Sequence, residues 1–181
     1  MMDAKVLDSH TKGGLLDRYR AASRRLLLLD YDGTLTPFFN IPTLAEPDNI
    51  LLELLESISG NERNSVYIIS ERDNVLLESW FAQLPLRIIT ESDGKIMISR
   101  EDREYPPGYN TRRAVRDMLD RTAYDFILAI GDNHRDEELF DEIRERPGAF
   151  TIKVGAGSSG ALYRVNSPRA VISLLRNMSG C

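Results

Sequence analysis

Short apolar runs alternate along the chain with segments whose apolar residues recur at helical spacing. Runs such as Leu26–Leu29 and Phe126–Ile130 are continuously apolar, which is typical of strands buried on both faces. The pattern predicts strands over 26–30, 65–69, 86–90, 126–130 and 149–154, and helices over 15–25, 48–58, 73–81, 111–120, 136–146 and after 167. This alternation predicts an α/β fold, with a Rossmann-like, mostly parallel sheet of about five or six strands and helices on both faces.

The distribution of proline, glycine and polar residues predicts how the chain is divided. Residues 1–14 are polar and are expected to form a flexible N-terminal tail before a single domain over 15–181. Three prolines in the segment 36–47 predict a loop. Lys95–Ser99 and Arg103–Tyr105 are the candidate strands of a small hairpin, and 95–107 is the only candidate insertion.

Composition excludes several classes of protein. The chain has 181 residues and a formal net charge of −5, and this acidity disfavours nucleic acid as a partner. No apolar run approaches the roughly 20 residues of a membrane span, and the first residues lack the apolar core of a signal peptide. Cys181 is the single cysteine, which excludes an internal disulfide. We therefore expect a cytoplasmic enzyme or binding domain without a membrane partner.

Polar residues follow three of the predicted strands at their carboxyl ends. Asp30 and Asp32 follow the first strand, Ser70 the second and Asp132 the fourth. Ligands of open α/β sheets bind at this edge, and a divalent cation would relieve the repulsion between the two neighbouring carboxylates. Oxygen ligands suit Mg²⁺. An aspartate can also be a nucleophile in phosphoryl transfer, with a second aspartate transferring protons.

These residues resemble the ordered motifs of the haloacid dehalogenase (HAD) superfamily of phosphatases, and more closely those of the trehalose-6-phosphate phosphatase family. Asp30-x-Asp32-Gly33-Thr34, Ser70 and Gly131-Asp132-x3-Asp136 carry the superfamily resemblance. The blocks that resemble the trehalose family, in its order, are LLLLDYDGTLTPF (26–38), YIISER (67–72), TESDG (90–94), FILAIGDNHRDEELF (126–140) and TIKVGAGSSGALY (151–163).

The resemblance implies a role for each matching residue. Asp30 would be the nucleophile and a Mg²⁺ ligand, and Asp32 the general acid/base, with its main-chain carbonyl on the metal. Asp132 would also bind Mg²⁺. The remaining residues would bind phosphate or support these loops: Thr34, Ser70 and Arg112 for phosphate, and Gly33, Gly131 and Asp136 in support. A phosphorylated sugar is the implied substrate, and a trehalose-6-phosphate synthase domain is the implied partner.

The sequence departs from the family pattern at four places. Glu71 stands where the family has glycine in its Ser-Gly-Arg motif, and Thr111 stands where it has a lysine that steadies the phosphate. Arg112 and Arg113 are the candidate replacements, although arginine and lysine are not interchangeable at a tight site. Only 95–107 occupies the position of a whole α/β cap domain, so we expect an open site, of a kind that a neighbouring subunit can cover in an oligomer. Asn133 replaces a second aspartate.

Several of these residues also have ordinary structural interpretations. Ser70 and Asp136 are both suited to cap a helix. The arginines at 112, 113 and 116 fit a solvated helix face as well as an anion clamp. His134 fits a solvated loop, and the glycine-rich segment 155–160 lacks the Lys-Ser/Thr of a phosphate-binding P-loop.

Two functions follow from the sequence. The first is a Mg²⁺-dependent phosphohydrolase that acts through an aspartyl-phosphate, as the intact Asp30, Asp32, Ser70 and Asp132 indicate. The second is a phosphatase-like domain with impaired catalysis that regulates or supports a synthase, as Thr111, Glu71 and the missing cap indicate. A signalling receiver domain also needs aspartates at strand ends, but it explains the Gly131-Asp132-x3-Asp136 motif poorly.

Overall fold

The computed structural model describes residues 3–101 and 104–180, with the backbone alone at 42–43. Within these ranges the strands are β1 (Lys5–Val6), β2 (Arg25–Asp30), β3 (Asn64–Ser70), β4 (Arg87–Ser92), β5 (Lys95–Ile98), β6 (Phe126–Gly131), β7 (Ala149–Val154) and β8 (Tyr163–Val165). They form one sheet in the order β1-β8-β7-β6-β2-β3-β4-β5. Neighbouring strands are parallel except β4 and β5. The predicted α/β fold is confirmed, with more strands than expected.

The helices begin at side chains that satisfy free backbone N–H groups. They are α1 (Ser9–Ala21), α2 (Asn49–Ser59), α3 (Asn74–Phe81), α4 (Thr111–Arg121), α5 (His134–Ile143) and α6 (Pro168–Ser179). Asp48 caps α2 by accepting from the N–H of Leu51, and Ser167 caps α6 just before Pro168. Asparagine, aspartate and serine are favoured at this position because their oxygens accept from the first turn. None of the described helices is long and apolar enough to span a membrane.

Strand β2 lies at the centre of the sheet and is buried along its whole length. Leu27 and Leu29 pack on one face with α1, α2, α3 and α6, whereas Leu26 and Leu28 pack on the other with α4 and α5. Successive side chains of a strand point to opposite faces, so a strand covered on both sides needs apolar residues at every position. This explains the continuous apolar run, and it brings Asp30 to the carboxyl edge at mid-sheet.

The structure corrects two predictions about the chain's organisation. The expected flexible tail over 1–14 is wrong for the described residues, because Lys5–Val6 pairs with β8 and α1 starts at Ser9. The expected hairpin is also different. Lys95–Ile98 pairs with the preceding strand β4 across Asp93 and Gly94, which both have positive φ, as a tight two-residue hairpin turn requires. Arg103 lies outside the described residues.

Candidate active site

Three carboxylates meet at the carboxyl edge of β2 and β6. Asp30, Asp132 and Asp136 each offer an oxygen atom, and the three atoms lie within 4.8 Å of one another. Asp30 ends β2, and Asp132 directly follows β6. Asp136 lies in the first turn of α5, where its Oδ2 accepts from the main-chain N–H of Asn133 at 2.9 Å. Asp136 therefore takes part in capping α5 and also belongs to the acidic cluster. The helix-cap interpretation and the site interpretation of this residue do not exclude each other.

The cluster is electrostatically unfavourable without a cation. Burial raises the pKa of Asp30 well above its usual range, and the charge of Asp136 raises it further. Burial likewise raises the pKa of Asp136 to about 7. Asp30 Oδ2 is buried and has no hydrogen-bond partner among the described residues. A buried carboxylate oxygen of this kind, beside two further carboxylates, fits a hard divalent cation such as Mg²⁺.

Asp32 is held apart from this cluster by an arginine. Its two carboxylate oxygens accept from Arg72 Nε at 2.7 Å and from an Arg72 terminal nitrogen at 2.6 Å. A two-bonded pair of this type fixes both side chains and is stronger than a neutral hydrogen bond. The Asp32 carboxylate is thus not one of the three clustered acids. The predicted contact of Asp32 with the metal is compatible with this, because that contact is through the main-chain carbonyl. The predicted set of site residues had not included Arg72.

The two predicted glycines lie directly against the acids. A Cβ atom on Gly33 would be 2.1 Å from Asp132 Oδ2, and one on Gly131 would be 2.0 Å from Asp136 Cγ. Gly33 also has a φ of +78°, which glycine adopts at little cost. Both positions therefore exclude any side chain, because the carboxylates occupy the space that it would need.

A cavity of about 270 Å³ opens next to the cluster. Asp30 and Ser70 line it together, as the strand-end argument predicts. The helix-cap interpretation of Ser70 is wrong, because Asp73 caps α3 and the Ser70 hydroxyl accepts from the N–H of Arg72. Glu71 also lines the cavity, and its carboxylate pairs with Arg135 at 2.5 Å. This arginine offsets the negative charge that Glu71 introduces.

The opposite side of the cavity is formed by Glu91, Asn110, Thr111 and Arg112. Both the N–H and the hydroxyl of Thr111 donate to Glu91 Oε2, at 2.9 and 2.8 Å. Arg112 lines the cavity, but its Nε donates to Glu142 at 3.0 Å, and Arg116 binds the same carboxylate. The predicted phosphate contact of Arg112 therefore competes with an ion pair to α5. Glu91, on β4, was not predicted as a site residue.

A further cation, Lys153, reaches the loop that carries Asp132. Lys153 lies on β7 opposite Gly131 of β6, and its Nζ donates to the main-chain oxygen of Asp132. Lys153 stands in the block TIKVGAGSSGALY (151–163), which resembles the trehalose family in sequence. A lysine near the carboxyl end of an otherwise apolar strand was the signal that could have identified it, since β7 is adjacent to β6 in the sheet.

The strand order β7-β6-β2-β3-β4 brings acids to the carboxyl ends of two neighbouring strands, β6 and β2. Solved structures share this fold. The C-terminal domain of trehalose-6-phosphate phosphatase from C. albicans has the same fold, with a TM-score of 0.81 at 20% sequence identity and 99% of each chain covered.

Sequence comparison relates the chain to trehalose-phosphatases. The trehalose-phosphatase family model matches residues 28–102. A trehalose-phosphatase from Zygosaccharomyces rouxii is 39% identical over 84 residues, which cover 46% of this chain and 9% of the relative. A bifunctional trehalose-6-phosphate synthase/phosphatase from Thermoproteus tenax is 27% identical over 241 residues, covering 88% of this chain and 32% of the relative. Over residues 28–102 the chain is thus similar to trehalose-phosphatases.

Two properties of these alignments bear on function. This chain spans about a third of the length of the Thermoproteus relative and of a Dictyostelium discoideum trehalose-phosphate synthase. The alignment with the Thermoproteus protein, at 241 residues, is longer than the whole of this 181-residue chain. The relative therefore carries inserted residues that this chain lacks.

Proposed function

We propose that this chain is a Mg²⁺-dependent phosphohydrolase that hydrolyses a phosphorylated sugar, with trehalose 6-phosphate as the first candidate. The observation that carries the proposal is the cluster of Asp30, Asp132 and Asp136 beside a cavity that Ser70 also lines. Asp30, Asp132 and the main-chain carbonyl of Asp32 would hold the cation, with Asp136 in support. When bound, the cation would neutralise charge on the phosphate and on Asp30.

Asp30 would attack the phosphorus atom, forming an aspartyl-phosphate as the bond from phosphorus to the sugar oxygen breaks. Asp32 would first have to take up a proton in exchange for its bonds to Arg72. It would then give that proton to the leaving sugar oxygen and take one from the water that attacks the aspartyl-phosphate. Cleavage of the bond between phosphorus and Asp30 would release phosphate and restore both aspartates. Arg72 holds the Asp32 carboxylate in place, and Ser70 would donate to a phosphate oxygen.

The alternative is a domain with impaired catalysis that supports a synthase. It is favoured by Thr111, which gives the cavity no cation and is instead bonded to Glu91. The synthase/phosphatase name of the Thermoproteus relative suggests the corresponding partner, a trehalose-6-phosphate synthase domain. This alternative shares the metal site with the phosphatase and differs from it in turnover.

Phosphate release separates the two functions. The purified chain would be given trehalose 6-phosphate, other sugar phosphates and a small aryl phosphate, with Mg²⁺ or with chelator. We expect Mg²⁺-dependent release that Asp30→Asn lowers by about 10³-fold or more, because a nucleophile cannot be replaced by binding alone. Full activity of Asp30→Asn would contradict the mechanism. The absence of release by a folded, Mg²⁺-binding chain would favour the synthase-supporting alternative.

A further inference from the structure

Lys153 is a buried cation whose position links two strands of the site. It is 7% exposed and lies opposite Gly131, the last residue of β6. Its ammonium group donates to the main-chain oxygen of Asp132. The bond therefore joins β7 to the start of the loop that carries one of the three clustered carboxylates.

The burial of this ammonium group requires compensation. Removing a charge from water is costly unless opposite charges or hydrogen bonds replace the lost hydration. The hydrogen-bond partner of Lys153 is an uncharged carbonyl oxygen, and Asp136 is a nearby source of negative charge. In agreement, the positive charge of Lys153 acts to lower the pKa of Asp136.

Three other positively charged side chains near the cavity bind carboxylates instead of the backbone. Arg72 binds the Asp32 carboxylate, Arg135 binds Glu71, and Arg112 binds Glu142. Each of these guanidinium groups forms an ion pair with a side chain. Lys153 instead binds the backbone of the site loop, where it restrains the peptide from which the Asp132 side chain projects.

We propose that Lys153 is a positioning residue that holds the Asp132 peptide so that the Asp132 carboxylate faces Asp30 and completes the divalent-cation site. The inference deepens the proposed function and rests on its metal site, although not on turnover. The lysine to which we assign this role lies on β7, after the Asp132 motif in the sequence. Position 111, where the family has a lysine, carries threonine at the start of α4. Groups that orient a ligand typically contribute 10–100-fold to metal affinity.

The test is Mg²⁺ affinity, measured by titration calorimetry on the whole chain after treatment with chelator. We expect Lys153→Met, which keeps the bulk of the side chain but not its donor or charge, to weaken Mg²⁺ binding about tenfold. Lys153→Arg should recover part of that loss. Lys95→Met, an exposed lysine on the edge strand β5, is the matched control and should bind Mg²⁺ as the wild type does. If Lys153→Met does not fold, Lys153→Thr replaces it, since its short side chain cannot reach Asp132.

A double variant shows whether Lys153 acts through Asp132. Adding Lys153→Met to Asp132→Asn should change Mg²⁺ affinity little further, because the carboxylate that it positions is already absent. Unchanged affinity in Lys153→Met overturns the proposal, and so does tighter binding, which would mean that Lys153 only repels the cation. Failure of the wild type to bind Mg²⁺ also overturns it. A wild type that binds Mg²⁺ without releasing phosphate contradicts the proposed function alone, because affinity is read without turnover.

Discussion

The two sides of the cavity differ in how closely they keep the family pattern. On the acidic wall, Asp30 and Asp136 line the cavity and Asp132 lies beside them, with one oxygen atom of each within 4.8 Å of the others. The cap-side wall, formed by Glu91, Thr111 and Arg112, has no lysine at position 111, and the short β4–β5 hairpin precedes it. The acidic wall would hold the cation and the nucleophile, whereas the cap-side wall would recognise the substrate. The contrast teaches that these two tasks reside on separate elements and can change independently.

The largest effect on the acidic wall should come from Gly131→Ala. The added Cβ would lie 2.0 Å from Asp136 Cγ, so either the side chain of Asp136 or the end of β6 must move. We expect the free energy of unfolding to fall by about 1–3 kcal/mol and Mg²⁺ affinity to fall with it, as measured by denaturant unfolding and calorimetry. Gly13→Ala, in open space on α1, is the control. Unaltered stability and affinity in Gly131→Ala would show that the acidic wall tolerates displacement.

A second effect, graded with pH, should appear in the stability of the folded chain. In the folded chain, burial raises the pKa of Asp136 from the ordinary value of 3.8 to about 7. Because the folded state binds more protons between these values, its stability falls as pH rises from about 4 to 7, by up to about 1.4 kcal/mol per pH unit for one proton. We expect this fall in chelator during urea titrations.

Two controls define that pH effect. Saturating Mg²⁺ should reduce the slope, since the cation favours the ionised carboxylates, and Asp136→Asn should remove the contribution of this group. A stability that rises with pH over the same range in chelator would mean that the acidic wall is less buried or less repulsive than the structure indicates.

The smallest effect should come from Thr111→Lys on the cap-side wall. The new ammonium group would enter the cavity beside Glu91, where it could attract a phosphate ester. We expect kcat/KM for an aryl phosphate to rise about tenfold, which corresponds to about 1.4 kcal/mol. Thr111→Met, without charge, is the control for loss of the bond to Glu91. An equal response to both substitutions would assign the change to Glu91 instead of to the added cation.

The sequence predicts the acidic wall better than the cap-side wall for a physical reason. Asp30, Ser70 and Asp132 follow apolar strands of a parallel sheet, so their meeting at one edge follows from topology alone. The pairing of Asp32 with Arg72 and of Glu71 with Arg135 depends on side-chain rotamers and loop paths, which hydrophobic periodicity does not encode. Lys153 was missed because its role depends on the adjacency of β7 to β6, a feature of strand order.

The same limit applies to the fold. The central strands were predictable because burial on both faces imposes continuous apolar runs, as in β2. The strands β1 and β8 are two and three residues long, too short to show a periodicity. Their pairing joins distant parts of the chain, so no local pattern predicts it, and the polar composition of 1–14 instead suggested a tail.

The pairing of β1 with β8 has a consequence for the order of folding. Lys5 is in register with Tyr163, so this edge of the sheet closes only after nearly the whole chain is available. The central strand β2 meets β3 much earlier, since Leu26 pairs with Ser65. Long-range pairings carry the larger loop-closure entropy and form late. On the ribosome, the residues of β1, although synthesised before the other strands of this sheet, would therefore be among the last to take their places, joining a sheet whose centre had already formed.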